Sequence, residues 1–180
     1  MMSPDPSRNE FCENGEVANT VTEIIGSACQ ELFEAYGLPL TALTDADQVP
    51  GTLVLCGIMG FVGSGVRGAC LLAGTREPFE KSRPSEGALR DWVGELTNQL
   101  MGRVKLKLLR RGAEIALTTP IVLQGEHIAP LPRQHLLPSI FAASAGHVLV
   151  WLELETKPGF ELGVESDEEL EPAEGEALFF

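Results

Sequence analysis

The chain has 180 residues, 44% hydrophobic and 22% charged, which is the size and composition of one globular domain. No apolar run reaches the ~18 residues that a membrane-spanning helix needs, and a formal net charge of −13 works against binding a phosphate backbone, which requires concentrated Lys and Arg. The opening MMSPDPSRNE has no apolar stretch behind a basic flank, so a soluble, cytoplasmic protein is expected, with neither nucleic acid nor a membrane as partner.

Residues 1–13 read as a polar, Pro-containing flexible leader. From Asn14, a candidate N-cap, Val17, Val21, Ile24, Ala28, Leu32 and Tyr36 recur at three- and four-residue steps until Gly37 and Pro39. That spacing predicts a helix with one buried face. Two apolar runs follow, 52–61 and 65–74, linked by Val62, Gly63 and Ser64; a short Gly-containing link between strand-length runs predicts a hairpin. The glycines at 57, 60, 63, 65 and 68 lack the Lys-Ser/Thr pair of a P-loop and open no G-x-G-x-x-G helix, so they are assigned to strand bends and close packing rather than to a nucleotide.

A short segment from Arg76 to Lys81 leads to Pro84 and Ser85, which introduce a long helix expected from Ser85 to about Arg110 and stopped by Gly112. AEIALTTP (113–120) and IVLQG (121–125) are strand-like, residues 130–138 form a Pro-rich turn region, and HVLVWLELE (147–155) alternates as a central or well-covered strand should. Two helices with apolar stripes and several antiparallel strands predict an α+β class: a two-layer domain with long helices packed on an antiparallel β-sheet. That domain is assigned to residues 14–158, and 159–180 to an acidic, disordered tail. Residues 161–180 hold eight acidic residues and no Lys or Arg. Cys12, Cys29, Cys56 and Cys70 show no CxxC and no His at ligand spacing, so no metal site is expected and they read as reduced thiols, with Cys56 and Cys70 buried in strands.

The informative stretch is DWVGELTNQLMG, residues 91–102. At ~100° per residue, with Asp91 at zero, Glu95 falls at about 40°, Asn98 at about −20° and Gly102 at about 20°, whereas Leu89, Val93, Leu96, Leu100 and Val104 spread from about 140° to 220°. The polar set therefore faces away from the core. A polar outer face is common to amphipathic helices, but three features are unfavourable for a helix that has only to be solvated. Asn98 is a mediocre helix former, Gly102 costs about 1 kcal/mol relative to Ala while leaving room for a neighbour, and Asp91 and Glu95 repel at i,i+4. Glu95 can accept a charge-assisted hydrogen bond from a partner cation, and the Asn98 amide can both donate to and accept from a water, fixing its direction of attack. No Ser, Cys or His stands beside them to act as a nucleophile, and His127, His135 and His147 have no evident carboxylate partner for a general-base role. Such a convex surface needs a partner that brings the rest of a reaction centre.

The stretch resembles the signature helix of the CheC/CheX/FliY chemotaxis phosphatases, D/S-x3-E-x2-N followed by a Pro. Asp91, Glu95 and Asn98 meet the spacing, and 21 residues separate Asn98 from Pro120, one fewer than the family pattern. The Gly-rich hairpin before the helix and TTPIVLQG after it extend the likeness over roughly residues 15–155. One E-x2-N copy in a helix of suitable character is counted, which implies a CheX-like rather than a CheC-like chain. The resemblance implies a phosphatase acting on a phosphorylated CheY-like response regulator, with Glu95 and Asn98 catalytic. Glu95 would pair with the regulator's Lys and Asn98 would orient the hydrolytic water, while Asp91, Glu95, Gly102 and Pro120 contact the partner. It also implies no cofactor of the chain's own, Mg²⁺ in the partner regulator, and a homodimer formed through sheet edges. The alternatives are a non-catalytic regulator-binding adaptor or switch-complex component of the same fold, and a ligand-sensing dimer built on the Gly-rich hairpin.

Overall fold

The computed structural model describes residues 11, 15–44, 52–84, 86–130 and 137–165. In chain order the elements are α1 (Gly15–Ala35), β1 (Thr41–Leu43), β2 (Leu55–Gly63), β3 (Val66–Gly74), α2 (Arg76–Ser82), α3 (Leu89–Leu109), β4 (Ile115–Leu117), β5 (Ile121–Gln124), β6 (Ser139–Ala142) and β7 (His147–Thr156). The strands form one sheet in the order β1-β6-β7-β3-β2-β4, with β5 also on β2, and every pairing is antiparallel. The expected two-layer α+β architecture is therefore observed.

Side-chain alternation explains why β7 is central. Val148, Val150, Leu152 and Leu154 join the cluster that contains α1 and α3, while Leu149 and Trp151 join a second cluster with Leu53, Cys56, Ala73 and Ile140. A strand apolar on both faces is stable only inside a sheet, and β7 is flanked by β6 and β3. The helices each commit one stripe. Val17, Val21, Ile24, Ile25, Ala28, Cys29, Leu32 and Phe33 are buried on α1, and Val93, Leu96, Leu100, Met101 and Val104 are fully buried on α3, each aliphatic side chain contributing about 1.5–3 kcal/mol of burial free energy.

Both helices end as the glycines indicate. Leu38 N–H donates to the Phe33 carbonyl and Gly37 N–H to that of Glu34; Ala113 N–H donates to Leu108 and Gly112 N–H to Leu109. With φ of 73° at Gly37 and 78° at Gly112, these are two Schellman closures, which a residue with a Cβ would strain. The start of α3 differs from expectation. It begins at Leu89, not Ser85, with Ala88 as an N-cap that offers no side-chain hydrogen bond; Gly87 and Ala88 give the backbone no cap that would hold an earlier turn. Asn14 and Ser85 themselves lie outside the described residues. The hairpin link is Ser64–Gly65, because Val62 pairs with Arg67 and Gly63 still pairs with Ile115 of β4. The short strands β1 and β6 and the helix α2 carry too few residues for periodicity to show them.

The packed body also continues past residue 158. Phe160 packs against the core, Gly163 N–H donates to the Arg111 carbonyl at 2.9 Å, and Arg111 pairs with Glu165 at 3.1 Å. Residues 159–165, assigned by sequence to the tail, thus lie against the end of α3; residues 166–180 are outside the described residues. Among the described residues no helix is long and apolar enough to cross a membrane.

Cys29, Cys56 and Cys70 are buried, the last two in β2 and β3 as expected. Burial pushes the Cys56 thiol up to about 11 and, with the nearby Cys56, the Cys70 thiol up to about 12; Cys29 is raised by the same cause. In the unfolded chain these thiols ionise near 9.0. Raised folded values leave stability untouched below pH ~9 and diminish it as pH climbs from there toward the folded values, because only the unfolded state releases the protons. Urea unfolding between pH 7 and pH 10.5 should show that decline. A thiol reagent at pH 8 should modify these three cysteines only as fast as the protein opens.

Candidate functional site

The position of α3 on the sheet rests on two small residues, one on each surface. Gly57 of β2 faces Thr97, whose hydroxyl donates to the Val93 carbonyl at 2.7 Å; a Cβ at Gly57 would stand 2.0 Å from Thr97 Oγ1. On the helix, a Cβ at Gly94 would lie 3.3 Å from Val122 of β5. With these two approaches fixed and the apolar stripe buried, the angular arithmetic places the opposite ridge outward.

Asp91 and Asn98 are exposed, and Glu95 and Gly102 are partly exposed. The Asn98 carboxamide has no hydrogen-bond partner among the described residues, and Asp91 has only a loose 3.9 Å contact with Arg90. Glu95 is less free than the helical projection suggests, because one of its oxygens accepts a hydrogen bond from Gln99 Nε2 at 2.8 Å.

Facing this ridge is the β4–β5 corner. Thr118 Oγ1 accepts the Gly60 N–H at 2.9 Å and Thr118 N–H donates to the Gly60 carbonyl at 2.9 Å, which ties the corner to β2. Between ridge and corner runs an open groove of about 570 Å³, with Asp91, Glu95 and Asn98 on one side and Thr118, Thr119 and Pro120 on the other. Pro120, 22 positions beyond Asn98 in sequence, is thereby brought to the motif; Gly102 lies farther along the ridge and does not line the groove. A larger groove of about 700 Å³ lies beside β5, but its Arg76 is paired with Glu80 at 3.1 Å and it holds none of the motif residues, which line the smaller one.

The far half of α3 is basic and partly committed to structure. Lys107 reaches Glu31 of α1 at 2.8 Å. Burial alone would raise the Glu31 carboxyl, but hydrogen bonds from Lys107 and Ser27 and the charges of Lys107 and Arg103 bring it below its ordinary value. His127 stands 3.4 Å from Thr52 Oγ1, and His147 opens β7; neither lines the groove. His135 lies outside the described residues.

A Cβ at Gly102 would meet nothing within 4 Å, so the glycine is not required for packing. Gly102→Ala should raise the melting temperature, worth up to ~1 kcal/mol from helix propensity, whereas Gly102→Trp should keep the fold and weaken partner binding if the ridge is covered in a complex. Thermal denaturation and binding titration separate the two effects.

The count of one E-x2-N copy needs correcting. Glu16 and Asn19 repeat the spacing in α1, and both are exposed. This second copy has Cys12 where the motif has Asp or Ser, and it sits in the first turn of its helix rather than along a packed ridge. The copy at 95–98 is the one with an Asp at the motif's first position, Asp91, and with Pro120 across the groove.

Over residues 55–136 the sequence matches the family model described as the chemotaxis phosphatase CheX. No curated protein matches the chain. Among solved structures, the chain is similar to the chemotaxis protein CheX from Vibrio vulnificus, with a TM-score of 0.65, 18% identity and coverage of 75% of this chain and 99% of that one. It is similar also to a chemotactic CheC-like protein from Shewanella oneidensis, with a TM-score of 0.60, 19% identity and coverage of 76% and 99%. A chain of the CheX-CheY-BeF3-Mg²⁺ complex from Borrelia burgdorferi matches with a TM-score of 0.52, 16% identity and coverage of 74% and 95%. At these identities the structural likeness establishes a shared fold. Together with the family match over the motif, it bears out the CheX-like resemblance read from residues 91–102.

Proposed function

Because the chain is CheX-like in its fold and in the segment that carries the motif, we propose that it accelerates hydrolysis of the aspartyl phosphate of a CheY-like response regulator. The reading is supported chiefly by one observation: Glu95 and the unpartnered Asn98 amide stand side by side on the wall of an open groove. Glu95 docks by pairing with a regulator lysine, a charge-assisted hydrogen bond. Asn98 enters the regulator's site and holds a water in line with the phosphorus. The water's oxygen forms the new P–O bond as the bond to the aspartyl oxygen breaks, releasing inorganic phosphate and a free carboxylate. The Mg²⁺ and the phosphorylated Asp belong to the regulator, and this chain supplies position and electrostatics, which suits a phosphoryl transfer that needs little covalent help. The Borrelia burgdorferi complex pairs a protein of this fold with CheY, which supports the partner class.

The test is to phosphorylate CheY-like regulators from the same genome and follow loss of label with and without the protein. Acceleration for at least one regulator is expected. Binding to the phosphorylated regulators with no acceleration of any would replace the proposal with the adaptor reading.

A further inference from the structure

Glu95 is held by a chain of side-chain contacts that begins on the other helix. Tyr36 occupies the last position before the Gly37 closure of α1, where the Schellman bonds fix its backbone. Its ring meets Trp92 edge-on, with centroids 4.9 Å apart and planes at 89°, and Trp92 Nε1 donates to Ser82 Oγ at 3.1 Å. The Tyr36 hydroxyl donates to Gln99 Oε1 at 2.9 Å, and Gln99 Nε2 donates to Glu95 Oε1 at 2.8 Å.

The order of donors sets the orientation of the amide. If Gln99 were turned over, its carbonyl oxygen would face the Glu95 carboxylate and both acceptors would be left without a proton. With the tyrosine hydroxyl on the oxygen side, the NH₂ group is directed at Glu95. The donor is also neutral. A Lys or Arg at position 99 would grip the carboxylate more strongly but would cancel its charge; an amide orients it and leaves the charge for an incoming cation. One carboxylate oxygen is thereby engaged, and the side chain is restrained on a ridge where Asp91, one turn earlier, would otherwise repel it freely through its rotamers.

We propose that Tyr36 and Gln99 form a positioning relay that pre-orients Glu95 for docking a cationic group of the partner. The inference rests on the phosphatase reading for what Glu95 docks, but the relay can be measured without it. The Gln99 side-chain amide resonance should shift on Tyr36→Phe and again on Glu95→Ala; an unchanged resonance in both variants overturns the relay whatever the protein binds.

The functional arm uses Tyr36→Phe and Gln99→Leu in the full chain. Each should raise KM for the phosphorylated regulator about 3- to 10-fold, as expected for loss of one coupled hydrogen bond, with kcat nearly unchanged. In a Glu95→Ala background neither change should have a further effect. A merely structural role would lower the melting temperature and persist in that background, and such additivity overturns the proposal. Should Glu95→Ala itself leave KM unaltered while the resonances behave as stated, the phosphatase reading of Glu95 fails and the relay stands. Should Glu95→Ala raise KM while Tyr36→Phe and Gln99→Leu do not, the relay fails and the reading of Glu95 stands.

Discussion

Replacing Asn98 by alanine is expected to lower regulator dephosphorylation about 100-fold while leaving affinity for the phosphorylated regulator nearly intact, the magnitude typical for loss of a group that positions a reactant or stabilises a transition state. The fold should not suffer. The Asn98 side chain is exposed and has no partner within the described residues, and alanine is the better helix former, so the melting temperature should stay level or rise. Glu95→Ala should behave differently, weakening binding about tenfold or more through loss of a charge-assisted contact, and that loss should shrink at high salt as the ion pair is screened in the wild type as well. Stopped-flow or label-loss rates at saturating regulator, set beside a binding titration, separate the two variants. Equal loss of binding in both, with no rate effect beyond it, would mean that the ridge only grips its partner.

The parts of the molecule that repeat over many residues were legible in sequence. The stripes of α1 and α3, the alternation of β7, the β2–β3 hairpin and the terminal glycines of both helices each follow from a period or a backbone requirement spread over several positions. The outward ridge was legible for the same reason, since helical angles accumulate with little error over two or three turns. What escaped was contact between distant segments. Tyr36 reads as the last apolar residue of a stripe, and nothing local says that its hydroxyl reaches Gln99, 63 positions away. Gln99 itself left a readable signal, four residues after Glu95, a spacing at which an amide and a carboxylate meet on a helix. Thr118 and the closeness of Pro120 to Asn98 depend on two short strands sharing one edge of β2, a tertiary fact. The second E-x2-N copy at Glu16 was present in plain residues; Cys12 in place of Asp or Ser and its placement in a first turn distinguish it from the copy on α3.

The same dependence on distant contact makes Gly57 the position where a single methyl group should do most harm to the site without touching it. Gly57 cannot retreat, because it pairs with Leu72 of β3 and Val122 of β5 and is held in the sheet from both sides. Nor is Thr97 free to turn away, since it is fully buried and its hydroxyl is committed to the Val93 carbonyl. Gly57→Ala should therefore cost about 1–3 kcal/mol, and Gly57→Val more, by overpacking at the helix–sheet contact. The strain is relieved by lifting α3 off β2, which tilts the ridge relative to the Thr118–Pro120 corner, so dephosphorylation should fall in molecules that remain folded. Combining Gly57→Ala with Thr97→Ala removes the hydroxyl that the new Cβ would meet at 2.0 Å and leaves a 3.1 Å approach to the Thr97 Cβ, which small shifts can relax. Urea unfolding of the two single variants and the pair should then show the double variant more stable than Gly57→Ala alone. If the two costs simply add, the close approach of Gly57 to Thr97 is not what seats the helix.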